Sequence, residues 1–170
     1  MDPNVRKNRM ARRIVDVNGS NIGILVNDRD NADLLARETA KFYQRRHQCT
    51  VVEFINKQAT EPCVAEHLLA LSKVCDFLIT AIGDSESSAA CVVQDSISFE
   101  QYGKPALTLC SKPFRSSAED AARELGLPAY PFVAVTHPIA AIASTEITER
   151  AVHAYRQGMA FLTGMHLLIG

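Results

Sequence analysis

Residues 76–95 read Asp-Phe-Leu-Ile-Thr-Ala-Ile-Gly-Asp-Ser-Glu-Ser-Ser-Ala-Ala-Cys-Val-Val-Gln-Asp, and they decide how the chain folds. Phe77–Ile82 is an unbroken apolar run with the length and composition of a strand buried on both faces. The run breaks at Gly83 into small and polar residues, and from Ser88 to about Gln101 the chain can continue as a helix. A strand that ends in small polar residues at a helix start is where open α/β sheets place ligands. Unpaired backbone N–H groups and the positive end of the helix dipole meet there.

The alternation extends in both directions from this stretch. Asn21–Val26 and Thr50–Ile55 read as strands, separated by a helix over 32–47 with Leu34, Leu35 and Phe42 at helical spacing. Val64, Leu68, Leu71 and Cys75 predict a helix over 64–75. Beyond Gly103-Lys104-Pro105, residues 106–110 form a fourth strand. Ser116 and Ser117 can cap a helix running to about Leu125, where Gly126 and Pro128 stop it. Phe132–Thr136 is a fifth strand ended by His137-Pro138, and Thr145 is an N-cap candidate for a last helix beginning near Glu146.

Five strands alternating with helices predict a parallel sheet with right-handed crossovers and helices on both faces. The expected fold is α/β, a flavodoxin-like three-layer sandwich with a five-stranded parallel sheet in the order 2-1-3-4-5. Its switch point lies between strands one and three, so residues 27–31 and 83–88 face each other across one crevice. His137 reaches the same edge of the sheet.

The bulk properties fit a single compact domain. The chain has 170 residues, 47% hydrophobic and 22% charged, enough for one well-buried core. A net charge of −1 argues against a general nucleic-acid binder. Cys49, Cys63, Cys75, Cys91 and Cys110 form no CxxC pair and no zinc-type spacing, which fits free thiols in a reducing cytoplasm. No apolar run approaches the ~20 residues that span a bilayer, and the basic N-terminus lacks the apolar stretch of a secretory signal. The expected protein is cytoplasmic, with no membrane partner.

Three segments are expected: a basic arm over 1–19, the α/β domain over 20–157, and an apolar tail over 158–170. The arm clusters Arg6, Lys7, Arg9, Arg12 and Arg13. It is either a solvated extension or a tail that docks on a partner subunit or guards the crevice. The tail carries Met159, Phe161, Leu162, Met165, Leu167, Leu168 and Ile169. Either it packs on its own sheet or it lies against another chain.

Ile82-Gly-Asp-Ser-Glu-Ser-Ser, followed by Asp95, resembles the family of UGSC-motif (seleno)proteins. Ile22-Gly-Ile-Leu-Val-Asn with Asn31-Ala-Asp, Phe99-Glu-Gln-Tyr-Gly-Lys-Pro, Glu124-Leu-Gly-Leu-Pro and His137-Pro-Ile agree with it in order. The resemblance runs from about Asp2 to Ala151. It implies a loop carrying selenocysteine or cysteine, Gly, Ser and cysteine. Here those four positions read Ser85, Glu86, Ser87 and Ser88. Serine hydroxyls form no disulfide and are poor nucleophiles without an activating base. The His-Asp pair that the resemblance implies in the following helix reads Gln94-Asp95.

The remaining candidates are acid–base groups and hydroxyls. Asp84, Asp95 and His137 are the candidate catalytic residues, with Gly83, Ser85, Glu86, Ser87, Ser88, Asn27 and Asp28 as substrate contacts. A Ser–His–acid arrangement can be drawn from Ser85 or Ser88, His137 and Asp84, but no G-x-S-x-G elbow is present and serines at a strand end are usually helix caps. His137 is either a site contact or a structural histidine, and the resemblance places it at the site. Asn27, Asp28, Asp30 and Asn31 either cap the first helix or contribute to a metal or polar-substrate site with Asp84. An anion is expected on the backbone N–H groups around Ser87 and Ser88. There is no GxGxxG and no Walker loop, so no cofactor is indicated, and no metal is assigned. Two functions remain open: an enzyme or enzyme subunit acting on a small polar organic molecule, and a non-catalytic partner of an intact UGSC-type chain. Either would work as a homo-oligomer, or as a hetero-oligomer with a family member.

Overall fold

A computed structural model describes residues 8–58 and 60–168. Arg6 and Lys7 of the basic cluster, and Ile169 of the apolar tail, lie outside the described residues. Five strands, β1 (Asn21–Asn27), β2 (Thr50–Lys57), β3 (Phe77–Gly83), β4 (Ala106–Ser111) and β5 (Val133–Val135), alternate with five helices. These are α1 (Ala32–His47), α2 (Ala65–Val74), α3 (Glu86–Glu100), α4 (Arg115–Glu124) and α5 (Ser144–Thr163). The strands are parallel and lie in the order β2-β1-β3-β4-β5, the flavodoxin-like order.

Burial follows this order. Every residue of β3 and β4 is buried, whereas β2, at the edge, is half-exposed along its length. α1 and α5 cover one face, where Tyr43, Phe77, Leu107 and Leu162 belong to one buried cluster. α2, α3 and α4 cover the other face with two smaller clusters.

Several helix starts differ from expectation. α3 begins two residues earlier than Ser88, because Ser85 is its N-cap. α4 follows a single 3-10 turn at Lys112–Phe114, so Ser116 and Ser117 lie inside the helix and cap nothing. α5 starts at Ser144, and the Glu146 carboxylate accepts from Ala143 N (3.1 Å), so Thr145 is not its cap. The end of α4 is as expected. Gly126 adopts a φ of 83°, and Leu127 N donates to Ala122 O (2.8 Å) while Gly126 N donates to Arg123 O (3.0 Å), a Schellman closure.

Both terminal segments pack on the domain where the structure describes them. From Asn8 the arm lies on its own domain, at the N-terminal edge of the sheet. Ala11 N donates to Glu100 Oε1 (2.9 Å), Arg13 pairs with the same carboxylate, and Ile14 N donates to Leu162 O (2.8 Å). The boundary expected at 158 falls inside α5. A Cβ on Gly158 would stand 2.6 Å from both Leu107 Cδ2 and Tyr43 Oη, so the helix presses on the sheet there. Leu162 is fully buried, while Met165 and Leu167 are exposed. No described helix is long and apolar enough to cross a membrane.

Candidate functional site

The β3–α3 turn owes its shape to close approach and to reciprocal capping. At Gly83 a Cβ would meet Ala89 Cα at 2.7 Å and Cys110 Sγ at 2.8 Å, so only glycine lets α3 turn back onto β3 and β4. Ser85 Oγ accepts from Ser88 N (3.1 Å), and Ser88 Oγ accepts from Ser85 N (2.9 Å) and Asp84 N (3.0 Å). This is a capping box built from two serines. Ser88 is fully buried. Its hydroxyl is occupied, and so is its N–H, one of the groups around Ser87 and Ser88 on which an anion was expected. Ser87 and Glu86 are exposed at the first turn.

Asp84 follows Gly83 with its side chain 7% exposed. Its Oδ1 accepts from Arg29 Nε at 2.7 Å and lies 3.2 Å from Ser88 Oγ. Arg29 belongs to the β1–α1 loop and escaped notice in the sequence, where a lone arginine among Asp28, Asp30 and Asn31 gives no spacing signal. The loop is held by its own side chains. Asn27, 1% exposed, both donates to Ile82 O and accepts from Ile82 N at 2.9 Å, so its amide is turned inward onto the β3 backbone. Asn31 Nδ2 donates to Ile139 O (2.8 Å), and Asp30 Oδ2 accepts from Ala141 N (2.8 Å). These residues join loops across the edge and do not cap α1, whose N-cap Asn31 makes no side-chain cap bond. Asp28 turns toward β2, where Asn56 Nδ2 lies 3.4 Å from its Oδ1.

His137 stands beyond β5, exposed, with Nδ1 3.2 Å from Ser111 Oγ and the Phe114 ring edge-on at 6.0 Å between centroids. Ser111, fully buried at the end of β4, is a second contact that the sequence did not single out. The register pairs Gly83 with Cys110 and Ser111 with Val135. Asp84 and His137 are thus two strands apart on one edge, roughly 10 Å at the usual strand spacing. That separation forms no Ser–His–Asp relay, because the histidine's hydroxyl partner is Ser111, not Ser85 or Ser88. An Arg29–Asp84 pair and a Ser111-held imidazole thus stand on the same edge, on either side of the end of β4.

Asp95 is not at this edge. It lies ten residues beyond Ser85 on α3, roughly 15 Å along the helix, and is 1% exposed. Its Oδ1 accepts from Cys63 N (2.8 Å), and Lys57 Nζ is 3.1 Å from Oδ2. Burial raises its pKa, opposed by the Cys63 N–H and by Lys57. Here the Lys57–Asp95 pair fixes the segment between β2 and α2.

No thiol is poised for chemistry. Burial raises the pKa of all five, to about 11 for Cys63 and Cys75 and about 12 for Cys110, with Cys49 and Cys91 also raised. All five are free, and Cys91 is buried inside α3. Among the described residues no group of three or more His, Cys, Asp or Glu side chains could hold a metal ion.

The model of the UGSC family matches residues 1–164. No curated protein matches the sequence. Among solved structures, the chain is similar to a diflavin flavoprotein from Nostoc sp., at 15% identity and a TM-score of 0.45, over 89% of this chain and 98% of that one.

Proposed function

This chain belongs to the UGSC family, and from that membership we propose that it is an enzyme or enzyme subunit acting on a small polar organic molecule by acid–base chemistry, without the family's thiol pair. The reading is supported by one observation above the others: two pre-oriented polar pairs, Arg29–Asp84 and Ser111–His137, stand on the same sheet edge. In this reading Arg29 and the exposed first turn of α3 receive a carboxylate or similar anionic group. His137 exchanges a proton with the ligand while Ser111 holds its ring. Asp84 orients Arg29. The replacement of both thiol positions by capping serines argues for proton transfer over redox chemistry. Five free cysteines fit a reducing, cytoplasmic setting.

The test is ligand enrichment. Wild-type protein and His137→Ala are each incubated with a small-molecule cell extract, and the bound fractions are compared by mass spectrometry. The proposal expects at least one polar metabolite bound by wild type and depleted tenfold or more in the variant, with unchanged melting curves. Equal enrichment in both proteins would sink it.

A second reading, a non-catalytic partner of an intact UGSC-type chain, draws on the two serine hydroxyls being spent on reciprocal capping. Exposed Met165 and Leu167 offer an apolar surface for a second copy or for a family member. Co-expression with a family member bearing the intact loop, followed by sedimentation, separates the cases. A stable mixed complex supports this partner role, and a monomer at micromolar concentration removes both kinds of assembly.

A further inference from the structure

We propose that the outer face of α2 is an interface for a second copy of this chain, the two helices crossing antiparallel so that Glu66 of each meets Lys73 of the other. α2 carries little charge for a surface helix. Its exposed acids and bases are Glu66 and Lys73 alone, beside a neutral His67. α4, of the same ten-residue length, exposes Arg115, Asp120, Arg123 and Glu124. Apolar side chains stand where those charges would be, and Val64, Leu69 and Val74 are all exposed. They are three of the eight large apolar side chains exposed among the described residues, gathered on one short segment. That concentration marks a contact surface, because apolar side chains scattered singly need no partner.

The spacing makes this face self-complementary. Glu66, Leu69, Ala70 and Lys73 stand at i, i+3, i+4 and i+7, one stripe on the side away from buried Leu68, Leu71 and Ser72. A second α2 reversed across the stripe puts Leu69 and Ala70 at the crossing, where the small Ala70 permits close approach. Each carboxylate then lies opposite an ammonium. Neither group has an ion-pair partner in its own chain among the described residues. Seven positions also set them about 10 Å apart along the helix, too far to pair with each other. An isologous contact requires this symmetry, and an unrelated partner does not. Tyr102, exposed across the cleft it lines with Ala65 and Leu68, widens the patch. A helix about 15 Å long is too short to bury the ~800 Å² per partner of a stable interface, so the pair forms and parts with concentration. The stripe includes no residue of the Arg29–Asp84 or Ser111–His137 pairs, so the contact is independent of what the crevice binds.

Sedimentation velocity of the full chain, from a few micromolar to a few hundred micromolar, should show monomer giving way to dimer. Glu66→Lys and Lys73→Glu each set like charges against one another at both ends, and each should weaken the dimer tenfold or more. Mixed in equal amounts, the two variants should recover it as a heterodimer, because every Lys then faces a Glu. Ala70→Glu puts bulk and charge at the crossing on an exposed position, and should give monomer with an unchanged melting curve. Leu167→Glu, on the C-terminal segment, should leave the dimer intact. A monomer throughout overturns the proposal. So does a dimer that survives Ala70→Glu, a dimer lost in Leu167→Glu, or a mixture of the two charge variants that fails to recover.

Discussion

Arg29 Nε donates to Asp84 Oδ1 at 2.7 Å across fifty-five residues of sequence, which ties the loop after β1 to the loop after β3. The Asn27–Ile82 bonds lie just beneath and make the same connection with neutral groups. The scaffold of the crevice therefore does not depend on the ion pair, and Arg29 is available to serve a ligand. Arg29→Ala should change stability by less than about 1 kcal/mol, as expected for a pair whose arginine is a third exposed. The same substitution should lower ligand affinity. A loss of several kcal/mol in urea melts would show instead that the pair holds the loops together.

Gly83→Ala should destabilise the protein by about 1–3 kcal/mol, the usual cost of overpacking, because the added carbon meets the Ala89 backbone and the Cys110 sulfur. Equilibrium unfolding measures it. A neutral result would mean that α3 shifts away from β3 without penalty.

Glu100 is 2% exposed and gathers Ala11 N, Arg13, Ala106 N and the Tyr130 hydroxyl. Truncation to Ala strands a buried guanidinium and three other donors, so Glu100→Ala should cost about 3–5 kcal/mol and loosen residues 8–14. Hydrogen exchange at Ala11 and Ile14 reports the loosening. Unchanged protection there would separate the carboxylate from the strap.

The cysteines should resist alkylation in the native state. With burial raising every thiol pKa, the thiolate is scarce at pH 7.5. Iodoacetamide should label all five in denaturant and react slowly without it, with half-exposed Cys63 the first to yield. Rapid native labelling of Cys91 would return thiol chemistry to this chain.

Asp95 gives a pH dependence of definite sign. Its folded pKa is raised above the ordinary value of 3.8 by burial. The folded state thus holds its proton longer than the unfolded state, and stability from this group is full below that value and falls as pH rises through the folded pKa. Measured as the difference in melting temperature between wild type and Asp95→Asn, wild type should lose ground on going upward from about pH 4. A difference that grows with pH would mean that Lys57 outweighs the burial.

The fold was legible because β-rich runs of the right length alternated with apolar residues at helical spacing, and the start of α1 and the end of α4 coincided with strong punctuation. What escaped was geometry made by distant partners. Asn27 looked like loop punctuation, and only the Ile82 backbone explains it. Asp95 read as a site residue because the family places an acid there, but helical rise carries it roughly 15 Å below the loop. Ser111 had no reading at all, since a serine at a strand end is ordinary until an imidazole is found on it. The packing of residues 8–14 was not legible because it depends on Glu100, a buried carboxylate indistinguishable in sequence from a surface one.

Ile14 N bonded to Leu162 O puts the segment that leads into β1 beside the end of α5, at the N-terminal edge of the sheet, opposite His137 and Asp84. A surface-coupling handle placed on exposed Val15 or Met165, on that side, would orient every molecule with its crevice toward bulk solution. Protein immobilised in this way should thus keep the ligand access of free protein.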